Sequence, residues 1–595
     1  MSVLAQSRPI LASGKLHSNS SPFLTVRLLL AIAQFAESHG WLLFAAICAG
    51  CGWGRLHTML TRHLDHDELF TFYIAQAPTF RQLFKLSHTV DLQPPLSYLL
   101  VRASFAIFGV GSWSCRLPFL LAFLATAALL FFFLSRLLSP LYGLIATLFL
   151  WSNPYAYLAH EARPYSMLLC FTSLMLVSWY LAVEGDGTSS RRWALATVAA
   201  SGFGLLLSHV FGVFVYAAFF AAELLRLWVQ RRPDWRLWGA FLVPLVSVLT
   251  YLPLLRNHST MLFAEEYRAT PLRLFNFYWE SIRYAVTPLA FIALLALLWP
   301  VFRKQATAPS PASRLANRAS LGFLLTALAL VPIGIGILFA RTGTAFFERY
   351  GVVWLIPLAA VPTLVLGYRT QQDRLAGAAT AVLLVTIFFF NTWGKSWLLE
   401  QVSTFVPAKA AAKLLYVSAL PPLAPPGYPA IPPYLQAALA AAPIVSQLDS
   451  VAPGLPLVAN TGLTFLEVDR QESAQVTQRL YLLTDEEAAS TIAHDTVFAH
   501  YEQVKEAFSL RGKVEPYRTF ICAHPRFVVV GAYNNPQGWL LRKLERDGAE
   551  LRVAGTCSGY SEECQIYEIS VRREQCQSPG GPAEPSSSKA RVAVP

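Results

Sequence analysis

The sequence predicts a polytopic α-helical membrane protein with a soluble α/β domain after its last span. Three observations predict it. The 595-residue chain is 55% hydrophobic and 14% charged, whereas soluble domains carry about a quarter charged residues. Its mean hydropathy is +0.44. Long apolar runs fill residues 41–391, and beyond about residue 441 the polarity becomes that of a globular domain.

The apolar runs place spans near residues 41–60, 116–136, 141–158, 165–183, 193–209, 210–228, 236–255, 284–302, 319–340, 350–367 and 375–391, about eleven in all. The net charge of +12 is then best sorted by loop rather than read as a nucleic-acid surface. Arg136, Arg191-Arg192, Arg231-Arg232, Arg303-Lys304 with Arg314 and Arg318, and Arg369 with Arg374 all fall on one side. Cytoplasmic loops collect Lys and Arg, so that side is cytoplasmic, and residues 1–40 read as a cytoplasmic or interfacial segment. Residues 1–20 lack a hydrophobic core and the early apolar runs end without a small-residue cleavage site, so no secretory signal is expected. The apolar stretch 94–109 has Arg102 near its middle. It falls short of the roughly twenty residues a span needs and reads as an interfacial or re-entrant helix. Residues 61–115 thereby form one long first extracytoplasmic loop, and the C-terminal region also lies outside the cytoplasm.

That region opens with a Pro-rich linker over 393–440, suited to a semi-rigid spacer. An α/β domain over 441–577 follows. Leu455–Ala459, Leu480–Leu483 and Phe527–Val530 read as buried strands, and 485–509 and 538–548 as helical stretches. The tail 578–595 is rich in Pro, Ser and Gly and reads as disordered. Four of the eight cysteines, Cys522, Cys557, Cys564 and Cys576, lie in this region. An oxidising compartment permits disulfides there, with Cys557–Cys564 favoured because the two flank a turn.

The chemistry-bearing residues cluster at span mouths. The run Leu64-Asp65-His66-Asp67-Glu68-Leu69-Phe70 follows the first span, and His160-Glu161-Ala162-Arg163-Pro164-Tyr165 opens a later one on the same face. Charges beside lipid are costly to keep, so such sets point to function. Asp67 is either a reactive carboxylate or an N-cap for Glu68–Gln76. Glu161 and Arg163 are either substrate contacts or an ion pair at a helix start. Arg349, beside Tyr350, is either an anion partner or an end-of-span arginine reaching for water. Arg116 reads as an anchor, and His209 as a core histidine or a site group.

Three landmarks fall in order. They are Asp67-Glu68-Leu69-Phe70, then Asp91-Leu92-Gln93-Pro94-Pro95 leading to Arg116-Leu117-Pro118, then Glu161-Ala162-Arg163-Pro164-Tyr165. With Leu207-Ser208-His209 and Phe347-Glu348-Arg349-Tyr350, they cover roughly residues 60–370. This pattern resembles the bacterial C-type glycosyltransferases of the protein-mannosyltransferase and lipid A aminoarabinose-transferase kind. The resemblance implies a bacterial plasma-membrane enzyme. It would move a sugar from a polyprenyl-phosphate carrier to a protein, lipid or glycan acceptor outside the cytoplasm, by inverting single displacement.

On that resemblance Asp67 is the general base; its neighbour Glu68, read with it as catalytic, orients the base, binds a divalent ion or is simply solvated. Glu161, Arg163, Arg349, Tyr350, His209 and Gln93 contact substrate, with Arg349 the preferred phosphate partner. Gln93 departs from relatives that carry Lys or His before the Pro-Pro pair, which removes a cation that Arg102, Arg81 or Lys85 could replace. Asp65, His66, Asp67 and Glu68 offer ligands for Mg or Mn. Adjacent loop residues rarely all converge, so a metal cofactor is left open. A transporter or flippase of a lipid-linked or anionic solute is the alternative. Such proteins commonly show repeats and polar groups near the bilayer midplane, and this sequence shows its polar clusters at span mouths instead.

Overall fold

The computed structural model describes residues 24–184, 188–252, 262–302, 312–390, 430–445, 447–498, 501–557, 559–560 and 562–572. The tail, Cys576, most of the Pro-rich linker and the Arg303-Lys304 loop lie outside the described residues.

Helices among the described residues fall in each of the eleven ranges expected to span. Among the described residues, however, five are long and apolar enough to cross a membrane alone, or up to seven if two bent pairs each count as one. The five are Ser112–Leu137, Tyr165–Glu184, Gly212–Gln230, Asn317–Thr342 and Glu348–Arg369. Length accounts for much of the difference. The helix Pro140–Ser152 has 13 residues, about 20 Å at the helical rise, against a hydrocarbon core of about 30 Å. Every residue from Leu141 to Trp151 is buried, so its all-round apolarity reflects a position inside the bundle. Helix α1 (Leu24–Ser38) bends by 93° into α2 (Gly40–Thr61), and the two pass the test only as a pair. Residues 24–38, expected to be interfacial, are thus one arm of a broken helix.

Contacts gather the loops expected on the basic side. Arg191 donates to Asp234, Gln230 to Asn317 and Asn317 to Glu184. The Arg318 guanidinium lies 5.5 Å from the Tyr368 ring, and Tyr142 reaches Thr370. These loops share one end of the bundle.

The first loop folds as a helical unit of α3 (His66–Ala75), α4 (Phe80–Thr89) and α5 (Leu96–Phe108). Leu69, Phe72, Tyr98, Val101 and Phe105 are buried together. The stretch read as re-entrant is α5, a 13-residue apolar helix.

The C-terminal domain is a seven-stranded mixed sheet in the order β1-β6-β7-β5-β2-β3-β4. Its strands are β1 (Ile444–Val445), β2 (Leu457–Ala459), β3 (Leu480–Thr484), β4 (Lys513–Pro516), β5 (Arg526–Val530), β6 (Glu550–Cys557) and β7 (Cys564–Ser570). The three apolar runs expected as strands are β2, β3 and β5, adjacent and parallel. Alternation sends their side chains to opposite faces. Val458, Leu483, Phe527 and Val529 meet Phe520, Leu540 and Leu544 on one face. Leu457, Leu482, Val528 and Ile566 share the other with Phe465, Leu69 and Phe72. One apolar core therefore joins the sheet to the first loop. The expected helix over 485–509 is broken, because its first part ends at His494 with φ of 50° and a separate helix spans Tyr501–Phe508. Cys557 and Cys564 form the expected disulfide.

Candidate functional site

The site is organised around the amino end of α3. Asp65 caps this helix: its carboxylate accepts the Glu68 N–H at 2.9 Å, and the Glu68 carboxylate accepts the Asp65 N–H at 3.1 Å. This reciprocal arrangement satisfies two otherwise unpaired backbone donors. The cap expected as an alternative role for Asp67 thus belongs to Asp65, and Asp67 lies inside the first turn with its side chain free to point elsewhere.

Glu68 is fully buried, and its carboxylate is occupied. Arg116 donates to it through Nε at 2.7 Å and Nη2 at 2.5 Å, and the Ala162 N–H donates at 2.8 Å. Arg116, also fully buried, sends its remaining donors to the carbonyls of Met59, Arg62 and His63. All five guanidinium N–H groups are therefore used. A buried pair is tolerable only when its hydrogen bonds are this complete. The effect is to tie α2, α3, the Arg116 helix and the Glu161 loop at one point.

Asp67 faces two arginines. Arg349 Nη2 lies 2.5 Å from its Oδ2, and Arg163 Nη1 donates to its main-chain carbonyl at 3.1 Å. Burial pushes the Asp67 pKa up, but Arg349, Arg163 and His66 more than offset this and hold the carboxyl below the usual range. Arg349 also donates Nε to the Tyr165 hydroxyl at 3.2 Å. Arg163 does not pair with Glu161, as one reading expected. It forms a bidentate bridge to Asp91 at 2.7 and 3.1 Å, and the Tyr98 hydroxyl donates to the same carboxylate at 2.6 Å.

Asp91 was not among the expected site residues. Its signal was its place at the head of the Gln93-Pro94-Pro95 landmark. The next residue, Leu92, has φ of 52°, a left-handed conformation that bulky residues seldom adopt outside tight turns or functional loops. Gln93 is buried and accepts the Val210 N–H at 3.3 Å, which links this loop to the turn after His209. None of the cations proposed to replace a Lys or His at position 93 is placed there by a contact. Arg102 donates to the Ala77 carbonyl and lies against the Phe80 ring, while Arg81 and Lys85 are exposed.

His209 and Tyr350 form an aromatic wall with Tyr165 and Phe211. Ring centroids lie 5.1 Å apart for Tyr165–His209, and 4.7 Å apart for both His209–Phe211 and Phe211–Tyr350. His209 Nδ1 accepts the Phe211 N–H at 3.0 Å, so its proton belongs on Nε2. That nitrogen is buried without a partner among the described residues, the kind of orphan a polar substrate would satisfy.

Glu161 is half-buried, and its carboxylate has no hydrogen-bond or ion-pair partner among the described residues. Burial and the nearby Asp65 and Glu68 carboxylates push its pKa up to about 8, against the pull of Arg349 and Arg62. Burial also raises Asp65, helped by Glu68, to about 6. Among the described residues, no group of three or more His, Cys, Asp or Glu is placed to hold a metal. Asp65 turns to its own helix, Glu68 to Arg116 and Asp67 to Arg349, so the three carboxylates of this run do not converge, and the His66 ring turns to Glu467.

A second residue outside the expected set is Glu467, which reaches α3 from the C-terminal domain. Its Oε1 lies 2.8 Å from the His66 backbone nitrogen and 3.2 Å from the His66 ring. The separation in sequence left no local signal for this pairing.

Residues 92–255 match the model of a family described as dolichyl-phosphate-mannose-protein mannosyltransferase. This segment includes Gln93, Glu161, Arg163 and His209, while Asp67 and Arg349 lie outside it. Over that segment the match bears out the resemblance carried by the motifs. No curated protein matches the chain. Solved structures are similar too, among them two of one protein. ArnT from Cupriavidus metallidurans bound to undecaprenyl phosphate is 14% identical with a TM-score of 0.47, over 89% of this chain and 98% of that one. The same protein in the apo state is 16% identical with a TM-score of 0.40, over 90% and 99%.

Proposed function

We propose that the chain is an integral membrane glycosyltransferase of a bacterial plasma membrane. It moves a sugar from a polyprenyl-phosphate carrier to an acceptor hydroxyl of a protein, lipid or glycan on the extracytoplasmic face. The observation that carries this reading is the 2.5 Å pair of Arg349 and Asp67. It sets a cation suited to a phosphate beside a carboxylate suited to a hydroxyl proton, at one mouth of the helical bundle.

The chemistry follows from that adjacency. With the site empty, Arg349 neutralises Asp67 and keeps it a weak base. A donor phosphate competes for Arg349 through charge-assisted hydrogen bonds, and the exchange frees the Asp67 carboxylate. The acceptor oxygen attacks the anomeric carbon as its proton passes to Asp67. The bond from anomeric carbon to phosphate oxygen breaks with its electron pair, and Arg349 stabilises the charge on the departing lipid phosphate. One displacement inverts the anomeric centre. Asp91 holds Arg163 against the Asp67 carbonyl, which fixes the carboxylate's approach. Glu68 orients the loop through Arg116 rather than reacting, because its oxygens are already engaged. The Nε2–H of His209, the amide of Gln93 and the ring of Tyr350 supply contacts to the sugar.

A second assignment of the base rests on Glu161. A carboxylate whose pKa is pushed up to about 8 is, once ionised, a stronger base than one held low, though at neutral pH it is largely protonated. The pH dependence separates the two. If Glu161 is the base, kcat/KM rises as it ionises, through an acid limb near pH 8, and Glu161→Gln abolishes turnover. With Asp67 as base, the rate is already level at pH 8, and Glu161→Gln leaves kcat within about ten-fold while weakening acceptor binding. We expect the second result from initial rates with labelled donor between pH 5 and 10.

A further inference from the structure

The first turn of a helix leaves backbone N–H groups that no helical carbonyl can reach. At α3, the Asp65 side chain takes the Glu68 N–H. The His66 N–H is taken from another domain, by Glu467 Oε1 at 2.8 Å. The same oxygen lies 3.2 Å from His66 Nδ1. On the far edge of the ring, His66 Nε2 lies 3.9 Å from Asp67 Oδ1. His66 therefore bridges a carboxylate of the C-terminal domain to the carboxylate of Asp67.

The support behind Glu467 is rigid. It lies on the helix Gly462–Gln471, where its side chain is buried with Phe465, Leu466 and Val468. That helix is capped by Thr461, which accepts the Thr464 N–H at 3.1 Å. Both threonine hydroxyls donate to Glu562, at 2.9 and 2.7 Å. The Arg470 guanidinium lies over the Phe72 ring of α3 at 4.8 Å. Phe508 stacks on Tyr73 at 5.0 Å and meets Phe70 edge-on. The domain thus grips α3 along its length and places the Glu467 carboxylate at the end that carries Asp67.

We propose that Glu467 is a positioning residue for sugar transfer, fixing through His66 the turn of α3 that presents Asp67 to Arg349. This rests on the reading of Asp67 as the reactive carboxylate. The charged groups facing His66 are Asp65 and Asp67 on its own turn and Glu467 and Glu562 from the C-terminal domain. Burial disfavours the charged ring, but the Glu467 hydrogen bond with Asp67, Asp65 and Glu562 outweighs it and raises the His66 pKa to about 9. Loss of the Glu467 charge shifts this balance toward the neutral ring, and the Asp67 carboxylate then loses a cationic neighbour.

The test compares full-length wild type, Glu467→Gln, Glu467→Ala, His66→Ala, the Glu467→Ala/His66→Ala double variant and Asp67→Asn. The proteins are assayed in nanodiscs with radiolabelled polyprenyl-phosphate sugars. Displacing a reactive group by a fraction of an ångström predicts roughly ten- to a hundred-fold lower kcat for Glu467→Ala, with the donor KM changed less than about two-fold. Gln keeps the acceptor oxygen, so Glu467→Gln is milder in kcat. The rate is expected to fall at high pH as the His66 ring loses its charge and its hold on the turn, and in Glu467→Gln this alkaline limb moves to lower pH. The double variant is no worse than the poorer single, since both changes break one contact. If Glu467→Ala does not fold, Glu467→Gln and His66→Ala carry the test through kcat and the pH limb. The proposal is overturned if those limbs coincide with wild type, or if the two single effects multiply. Asp67→Asn keeps the two failures apart, since full turnover in that variant would remove the reading of Asp67 itself.

Discussion

Asp67→Asn is expected to lower kcat by about 10²–10⁴-fold, the range that a positioned general base contributes. The amide keeps the size of the carboxylate but cannot take the acceptor's proton. It also loses the charge that pairs with Arg349 at 2.5 Å. The Arg163 contact survives, because it goes to the main-chain carbonyl of residue 67. The donor KM is therefore expected to stay level or fall: Arg349, no longer held by a carboxylate, is freer to meet the carrier phosphate. Initial rates over a donor series measure both quantities. A raised KM with unchanged kcat would make Asp67 a binding group and move proton transfer elsewhere.

The largest stability effect is expected at Glu68 and Arg116. Glu68→Ala leaves the Arg116 guanidinium buried with two of its five contacts gone, and Arg116→Ala leaves a buried carboxylate. Breaking one side of such a pair costs about 3–5 kcal/mol. Thermal unfolding in detergent is expected to show a large drop for each single variant. Replacement of both residues by apolar side chains of similar size is expected to cost less than the sum, because neither charge is then stranded. Equal additivity in that double-mutant cycle would mean the pair acts independently, contrary to the shared contacts.

Much of this was legible in the sequence, and the reasons for the rest are specific. Asp67, Arg163 and Arg349 stood out because charges at span mouths are rare enough to be noticed singly. Their pairings were not legible, since Arg163 had a neighbour, Glu161, that fitted the same role as well as the distant Asp91. The capping box is present as an Asp65-to-Glu68 spacing, yet Asp67, two positions on, is an equally good capping residue in the sequence. The three central strands were readable from short runs of apolar residues. The lengths of the spans were less legible, because a hydropathy window reads an apolar helix enclosed by others, such as the 13-residue Pro140–Ser152, the same way as a longer one facing lipid. Glu467 was beyond reach, because its partner His66 is brought to it only when the sheet docks on the first loop.

The central claim is that this site cleaves a lipid-phosphate sugar by one displacement. The most direct measurement follows purified protein in nanodiscs supplied with radiolabelled polyprenyl-phosphate sugars and candidate acceptors. It reads the released lipid phosphate and the anomeric configuration of the labelled product. The account predicts donor-dependent turnover with an inverted product. A retained configuration, or label that crosses the bilayer still joined to its carrier, would contradict it.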